Sequence, residues 1–279
     1  MARSIWSGAI SFGLVNVPIK LYSAVSRKTV RFNQLNSETG NRIQQKRVDP
    51  DTGEEVPYDQ IVKGFELTKE RYVVITPEEL DSIAPEKTRA IDIEDFVDLE
   101  DIDPMFYDHP YYLAPDTGAA KAYRLLVDAM EDSGKVAIAR VVLRSKEHLV
   151  AIRPRSGVLA METMLFADEV ISPDSLDELS GDGEVATSDR ELTMAKQLID
   201  SLTSEFEPEK YRDEYRERVL DLIERKAQGE TVVIEAPDEA PAKVPDLMAA
   251  LEASIASAKG QSKPKRKRAP AKKKAAAKA

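Results

Sequence analysis

Two Asp-Thr-Gly triplets, Asp51-Thr52-Gly53 and Asp116-Thr117-Gly118, are the first residues in this chain whose types could do chemistry. Two carboxylates sharing one proton are the machinery of an aspartic protease. A catalytic aspartate needs an apolar strand leading into it. Here the first triplet follows the polar Val48-Asp49-Pro50 and the second follows Leu113-Ala114-Pro115, so both read as turns. The chain has two histidines, His109 and His148, and no cysteine. No Ser/His/Asp relay can be argued from two histidines, their spacing is not that of an H-E-x-x-H zinc site, and without cysteine there is no thiolate metal site. The acidic run Asp92–Asp103 lacks the glycine and spacing of a calcium loop. Gly134-Lys135 has neither the upstream glycine nor the following Ser or Thr of a phosphate-binding loop. The chain reads as non-catalytic, with no cofactor and no metal.

What the residue types do support is anion binding. The last 21 residues, 259–279, carry ten Lys/Arg and no Asp or Glu. Among them Lys263, Lys265, Arg266, Lys267, Arg268, Lys272, Lys273 and Lys274 form dense clusters. Without that tail, 30 basic residues face 50 acidic ones. An acidic body with a polycationic appendage points to a polyanion, and nucleic acid is the usual one. Charge is also segregated within the body. Residues 1–48 hold eight basic residues and one acidic residue, and residues 121–158 hold eight basic and four acidic. The intervening 49–120 and the following 159–258 are strongly acidic.

Within the second basic block, alternation over Val136–Arg144 puts Ala137, Ala139, Val141 and Leu143 on one face and Arg140 and Arg144 on the other. Arg153 lies in the next strand and Arg155 opens the turn after it. If the faces align, four guanidiniums line one side of a sheet, and a guanidinium grips phosphate with a planar fork of donors. The alternative is a solvated outer face balanced by acidic neighbours. Alternation alone does not choose, because it does not give cross-strand register. The first basic block contributes Arg3, Lys20, Arg27, Lys28, Arg31, Arg42, Lys46 and Arg47, with Glu38 the one acid. Trp6, the only tryptophan, reads as a core residue in preference to a base-stacking platform.

These residues need elements to hold them. Period-two alternation runs from Ile10 to Leu21 with a phase change near Leu14–Val15, and Gly8 and Gly13 suggest bends or bulges. Asp49–Gly53 is a turn, Arg71–Ile75 a short strand, and Thr76-Pro77-Glu78-Glu79 the capping box of a helix. Residues 91–99 form a half-exposed strand and 119–131 a helix. A three-strand antiparallel meander covers Val136–Arg144, His148–Pro154 and Val158–Phe166. Many short strands with few helices indicate a barrel or sandwich. From Ser188 the pattern turns helical, with a second capping box at Ser188 and Glu191 and a seam through Leu192, Ala195, Ile199, Leu202 and Phe206. Helices over about 210–228 and 246–258 follow, the second after a proline-rich linker. The tail has nothing from which to build a core and reads as disordered. No signal peptide and no membrane span are expected.

The opening MARSIWSGAISFGLVNVPIKLYSA, the segment KGFELTKERYVVITPEEL, the run from KAYRLLVDAM through VAIARVVLRSKEHLVAIRP to GVLAMETMLFADEV, and the later YRERVLDLIERKAQGE and DLMAALEASI together resemble the bacterial Ku proteins over about residues 1–258. The resemblance implies a mixed α/β (α+β) fold: a Ku β-barrel core with a DNA-encircling bridge over 1–185, a helical arm over 186–258, and the basic tail over 259–279. It implies a homodimeric ring that threads onto double-stranded DNA ends in non-homologous end joining and recruits the ATP-dependent DNA ligase D, in the cytoplasm at the nucleoid. On that footing Arg3, Lys20, Arg27, Lys28, Arg31, Arg140, Arg144, Arg153 and Arg155 are the expected DNA contacts, with the tail as auxiliary. Many relatives carry cysteines near positions 36–53, suggestive of a zinc-binding hairpin. This chain has none, so the turn at 49–53 must hold by hydrogen bonds and packing. An architectural protein that coats nucleoid DNA is the competing reading.

Overall fold

In the computed structural model of the chain, which describes residues 3–85, 88–177 and 187–230, the phase change in the first alternation is a hairpin. Strand β1 (Trp6–Phe12) pairs antiparallel with β2 (Val15–Ser23), from Trp6 opposite Leu21 to Phe12 opposite Val15. Gly13, at φ 58°, takes the first corner of the two-residue turn, where glycine has no steric penalty. Gly8 is needed for a different reason. A Cβ there would lie 2.2 Å from the Arg89 carbonyl oxygen and 2.2 Å from Trp6 Cη2.

Seven strands close into a barrel in the order β1-β2-β6-β9-β8-β7-β5. The added members are β5 (Ala90–Asp98), β6 (Tyr107–Pro115), β7 (Lys135–Leu143), β8 (Lys146–Arg155) and β9 (Val158–Met164). A ring with an odd number of strands cannot alternate direction all the way round. One pair must be parallel, and it is β1 with β5, closed by Ala9–Ala90, Ile10–Ile91 and Ser11–Asp92. The barrel interior takes every second residue: Ile10, Val17, Ile19, Leu21, Ile91, Leu113, Ala137, Ala139, Val141, Val150, Ile152, Leu159 and Met161.

Helix α2 (Ala120–Ser133) adds Tyr123, Val127 and Met130 to this core and stops at Gly134, whose φ of 65° is the left-handed cap. The Tyr123 hydroxyl donates to the Leu113 carbonyl at 2.6 Å and accepts from the Leu159 amide at 2.8 Å, tying α2 to both β6 and β9. Strand β6 and the closing β1–β5 pair are absent from the sequence reading, because both depend on partners far away in the chain.

Between β2 and β5 the chain leaves the barrel. Residues 24–62 form an irregular stretch with two tight hairpin turns and a single 3-10 turn at Tyr58–Gln60, followed by a two-stranded ribbon, β3 (Lys63–Thr68) and β4 (Arg71–Ile75), and the short helix α1 (Pro77–Ser82). The expected capping box is present: Thr76 Oγ1 accepts from the Glu79 amide, and Glu79 accepts from the Thr76 amide at 2.8 Å. Phe32, Leu35, Ile43, Val48, Phe65, Tyr72, Val73 and Val74 in this excursion are all exposed.

The chain divides into two units between Ser180 and Gly181. In the second, α3 (Asp189–Leu202) begins with the expected Ser188–Glu191 capping box but ends before Phe206, because Thr203 turns extended and caps back onto the Ile199 carbonyl. Helix α4 (Glu214–Ala227) starts later than the sequence suggests, at an Asp213 cap accepting from the Arg216 amide at 2.9 Å. The helix expected over 246–258 and the tail lie outside the described residues. Among the described residues, no helix is long and apolar enough to cross a membrane.

Candidate nucleic-acid interface

The meander registers decide which arginines share a face. Ala137 pairs with Ile152 inside the barrel, so Arg140 opposite Leu149, Arg153 opposite Ala160 and Arg155 opposite Val158 all point outward. Arg144 does not join them. Strand β7 ends at Leu143, and Arg144 (φ 59°) and Ser145 (φ 115°) form the hairpin turn. Three arginines, not four, therefore lie on the sheet face.

Two of those three are engaged by carboxylates. Arg140 donates from Nε to Glu94 at 2.9 Å and from Nη1 to Glu147 at 2.9 Å. The Glu147 bond and the Glu94 charge together push its pKa upward. Arg153 donates to Glu162 at 3.0 Å, and Glu162 is only 8% exposed. Removing Arg153 from that contact would strand a buried charge, which is costly. Lys20 is held at 2.6 Å by Asp116, whose carboxyl is in turn held below its usual range by Lys20. A phosphate at Lys20, Arg140 or Arg153 must compete with an acid already in place.

No acidic partner is found among the described residues for Arg3, Arg27, Lys28, Arg31, Arg144 or Arg155. Three of these, Arg27, Lys28 and Arg31, fall at the start of the excursion, where residues 24–48 carry six basic side chains against Glu38. Lys46 is paired with Glu55 at 2.6 Å, and the Arg47 guanidinium lies 5.5 Å from the centre of the Tyr58 ring. The tail residues Lys263, Lys265, Arg266, Lys267, Arg268, Lys272, Lys273 and Lys274 lie outside the described residues.

The excursion is shaped by a duplication that the sequence reading missed. Asn36-Ser-Glu-Thr-Gly-Asn41 and Asp49-Pro-Asp-Thr-Gly-Glu54 recur thirteen residues apart. They fold alike. Asn36 Oδ1 accepts from the amides of Glu38 and Thr39, as Asp49 Oδ1 accepts from those of Asp51 and Thr52. Gly40 and Gly53 then take φ 70° and 71° and donate to the carbonyls of Asn36 and Asp49. Flanking bridges Leu35–Arg42 and Val48–Glu55 complete each hairpin. The repeated Thr-Gly with Asn or Asp three residues before the threonine was the available signal. The turn at 49–53 is held by hydrogen bonds, as expected without cysteine. These residues do not fit a zinc ion, because the side-chain oxygens of Asn36 and Asp49 already serve backbone amides. Among the described residues, no group of three His, Asp or Glu side chains could hold a metal.

Residues 11–194 match the family model described as Ku: Ku70/Ku80 beta-barrel domain. The chain is similar to the non-homologous end joining protein Ku of Anaeromyxobacter sp. (strain K), 54% identical over 260 residues that cover 93% of this chain and 87% of the relative. It is also similar to the protein of the same name from Heliobacterium modesticaldum, at 49% identity over 94% of this chain and 95% of the relative. A third, from Archaeoglobus fulgidus, is 41% identical over 90% of this chain and 99% of the relative.

Proposed function

Because this chain belongs to the Ku family, we propose that it binds double-stranded DNA ends without reading sequence, as a non-catalytic homodimeric ring in non-homologous end joining. The supporting observation is the excursion between β2 and β5. Its first part, residues 24–48, carries six basic side chains against one acid, has little core of its own and leaves Phe32, Leu35, Ile43 and Val48 exposed. Sequence-blind binding asks for phosphate contacts. Arg27, Lys28 and Arg31 are exposed, and so are Arg144 and Arg155. These five are the readiest contacts. Lys20, Arg140 and Arg153 require exchange of a carboxylate for a phosphate, and Arg3 and the tail add charge. The uncovered Phe32, Phe65, Tyr72 and Val74 suit a second copy of the chain, and the exposed Leu192, Ile199, Leu220 and Ile223 of α3 and α4 suit further protein contacts, including the ATP-dependent DNA ligase D. On this reading the three parts are the core to residue 185, the helical arm to 258 and the basic tail, working in the cytoplasm at the nucleoid.

The test is paired. Replacing Arg140 and Arg144 by alanine should weaken end binding more than it lowers the unfolding midpoint. Wild-type affinity in a stably folded double variant would remove both from the lining. Light scattering of the free protein should give twice the chain mass, and a monomer at all concentrations would end the ring.

A further inference from the structure

One cavity joins residues that the DNA-binding reading leaves separate. It measures about 280 Å³ and is lined by Trp6, Arg89, Val142, Arg144 and Ser145. Five non-glycine residues have left-handed backbone among those described, and three of them, Arg89 (φ 51°), Arg144 (φ 59°) and Ser145 (φ 115°), line this cavity. The β7–β8 turn requires this at Arg144 and Ser145, whereas Arg89, directly before β5, holds the sparsely populated conformation outside that turn. Gly8 supports the same arrangement from behind. Trp6 lies so close to the Gly8 Cα that a Cβ would sit 2.7 Å from Cζ2, while the Arg89 carbonyl accepts from the Ala9 amide at 3.0 Å. Unlike Arg140 and Arg153, neither Arg89 nor Arg144 has an acidic partner among the described residues, and no acid lines the cavity. Trp6 packs against the core yet is only half-buried, so part of the indole faces this space.

Two arginines without an acidic partner among the described residues, beside an indole, are the chemistry that receives a nucleotide: a forked donor for phosphate and a π-face for a base. The volume is below the roughly 300–1,000 Å³ of pockets for drug-sized ligands, so it suits one nucleotide and no duplex step. We propose that this cavity receives a single unpaired terminal nucleotide of a DNA strand, its phosphate held by Arg89 and Arg144 and its base against Trp6. The proposal rests on the DNA-end reading and adds to it a site for the frayed or overhanging residue.

Trp6 is the only tryptophan, so its emission reports on this cavity without a label. The full chain is titrated with deoxyadenosine monophosphate, deoxyadenosine and inorganic phosphate. The monophosphate should change Trp6 emission saturably, with deoxyadenosine at least about tenfold weaker, because it lacks the charge-assisted bonds. Inorganic phosphate should compete, at lower affinity. Arg89→Gly removes the guanidinium while glycine accepts the φ of 51° without strain, so the fold is kept and affinity should fall by at least about tenfold. Arg89→Lys should recover part of it. Equal affinity for phosphate and monophosphate, or the same titration in wild type and Arg89→Gly, overturns the proposal. A wild type that shifts blunt duplex but shows no Trp6 response refutes this site alone, whereas failure to shift duplex refutes the DNA-end reading beneath it.

Discussion

Tyr123→Phe removes one oxygen atom and so isolates how α2 is fastened to the barrel. The side chain is 5% exposed, and its hydroxyl bridges Leu113 of β6 and Leu159 of β9 at 2.6 and 2.8 Å. Phenylalanine fills almost the same space, so no cavity term enters. What remains is a buried carbonyl and a buried amide, each losing its bond to the hydroxyl at about 1–3 kcal/mol. We expect a loss of about 3 kcal/mol, which in a domain of this size lowers the melting temperature by roughly 6–12 °C. Urea unfolding followed by Trp6 emission measures it, with the midpoint moving and the slope unchanged. Leu125→Ala, at a position 70% exposed on the same helix, is the control and should stay within about 0.5 kcal/mol. A Tyr123→Phe loss as small as the control's would refute the bridging role.

Neutralising the acids around Arg140 with Glu94→Gln and Glu147→Gln should free its guanidinium for phosphate and steepen the salt dependence of DNA binding by up to about 0.9 in log–log slope. An unchanged slope would place Arg140 outside the contact surface. Truncation before Lys259 removes ten basic residues and should weaken affinity and flatten the salt slope while end binding survives; an unaltered slope would leave the tail without a role. Burial lowers the His148 pKa, so the fold favours the neutral imidazole over the charged one. With the folded value below the unfolded one, its contribution is full above about pH 6.5 and is lost as pH falls below that. His148→Gln should make unfolding midpoints measured between pH 7 and 5 less pH-dependent, and parallel profiles for the two proteins would contradict this.

What the sequence revealed was local. The capping boxes at Thr76 and Ser188 depend on residues three apart, and both are present. The meander β7-β8-β9 was legible because alternation and short turns lie within thirty residues. Strand β6 was not, because its partners, β2 and β9, are distant in sequence and its run Tyr-Asp-His-Pro-Tyr lacks clean alternation. The same limit governs the interface. Alternation alone turns Arg140 outward, but its engagement by Glu94 follows from the β5–β7 pairing, across 46 residues. Arg144 continued the alternation on paper and was lost to the sheet because β7 ends one residue sooner. By residue type Trp6 reads as core. It is packed on the core and also opens onto the Arg89–Arg144 cavity, a meeting of three segments that no spacing in the chain announces.

The central claim is that this chain recognises DNA by its ends. A mobility-shift comparison of one duplex in linear and in covalently closed circular form, with the full chain at a fixed salt concentration, tests it most directly. The linear form should bind tightly and with salt dependence and the circle at least about tenfold more weakly, because a ring needs an end to thread. Equal affinity for both forms would contradict it and leave a protein that coats DNA through charge alone.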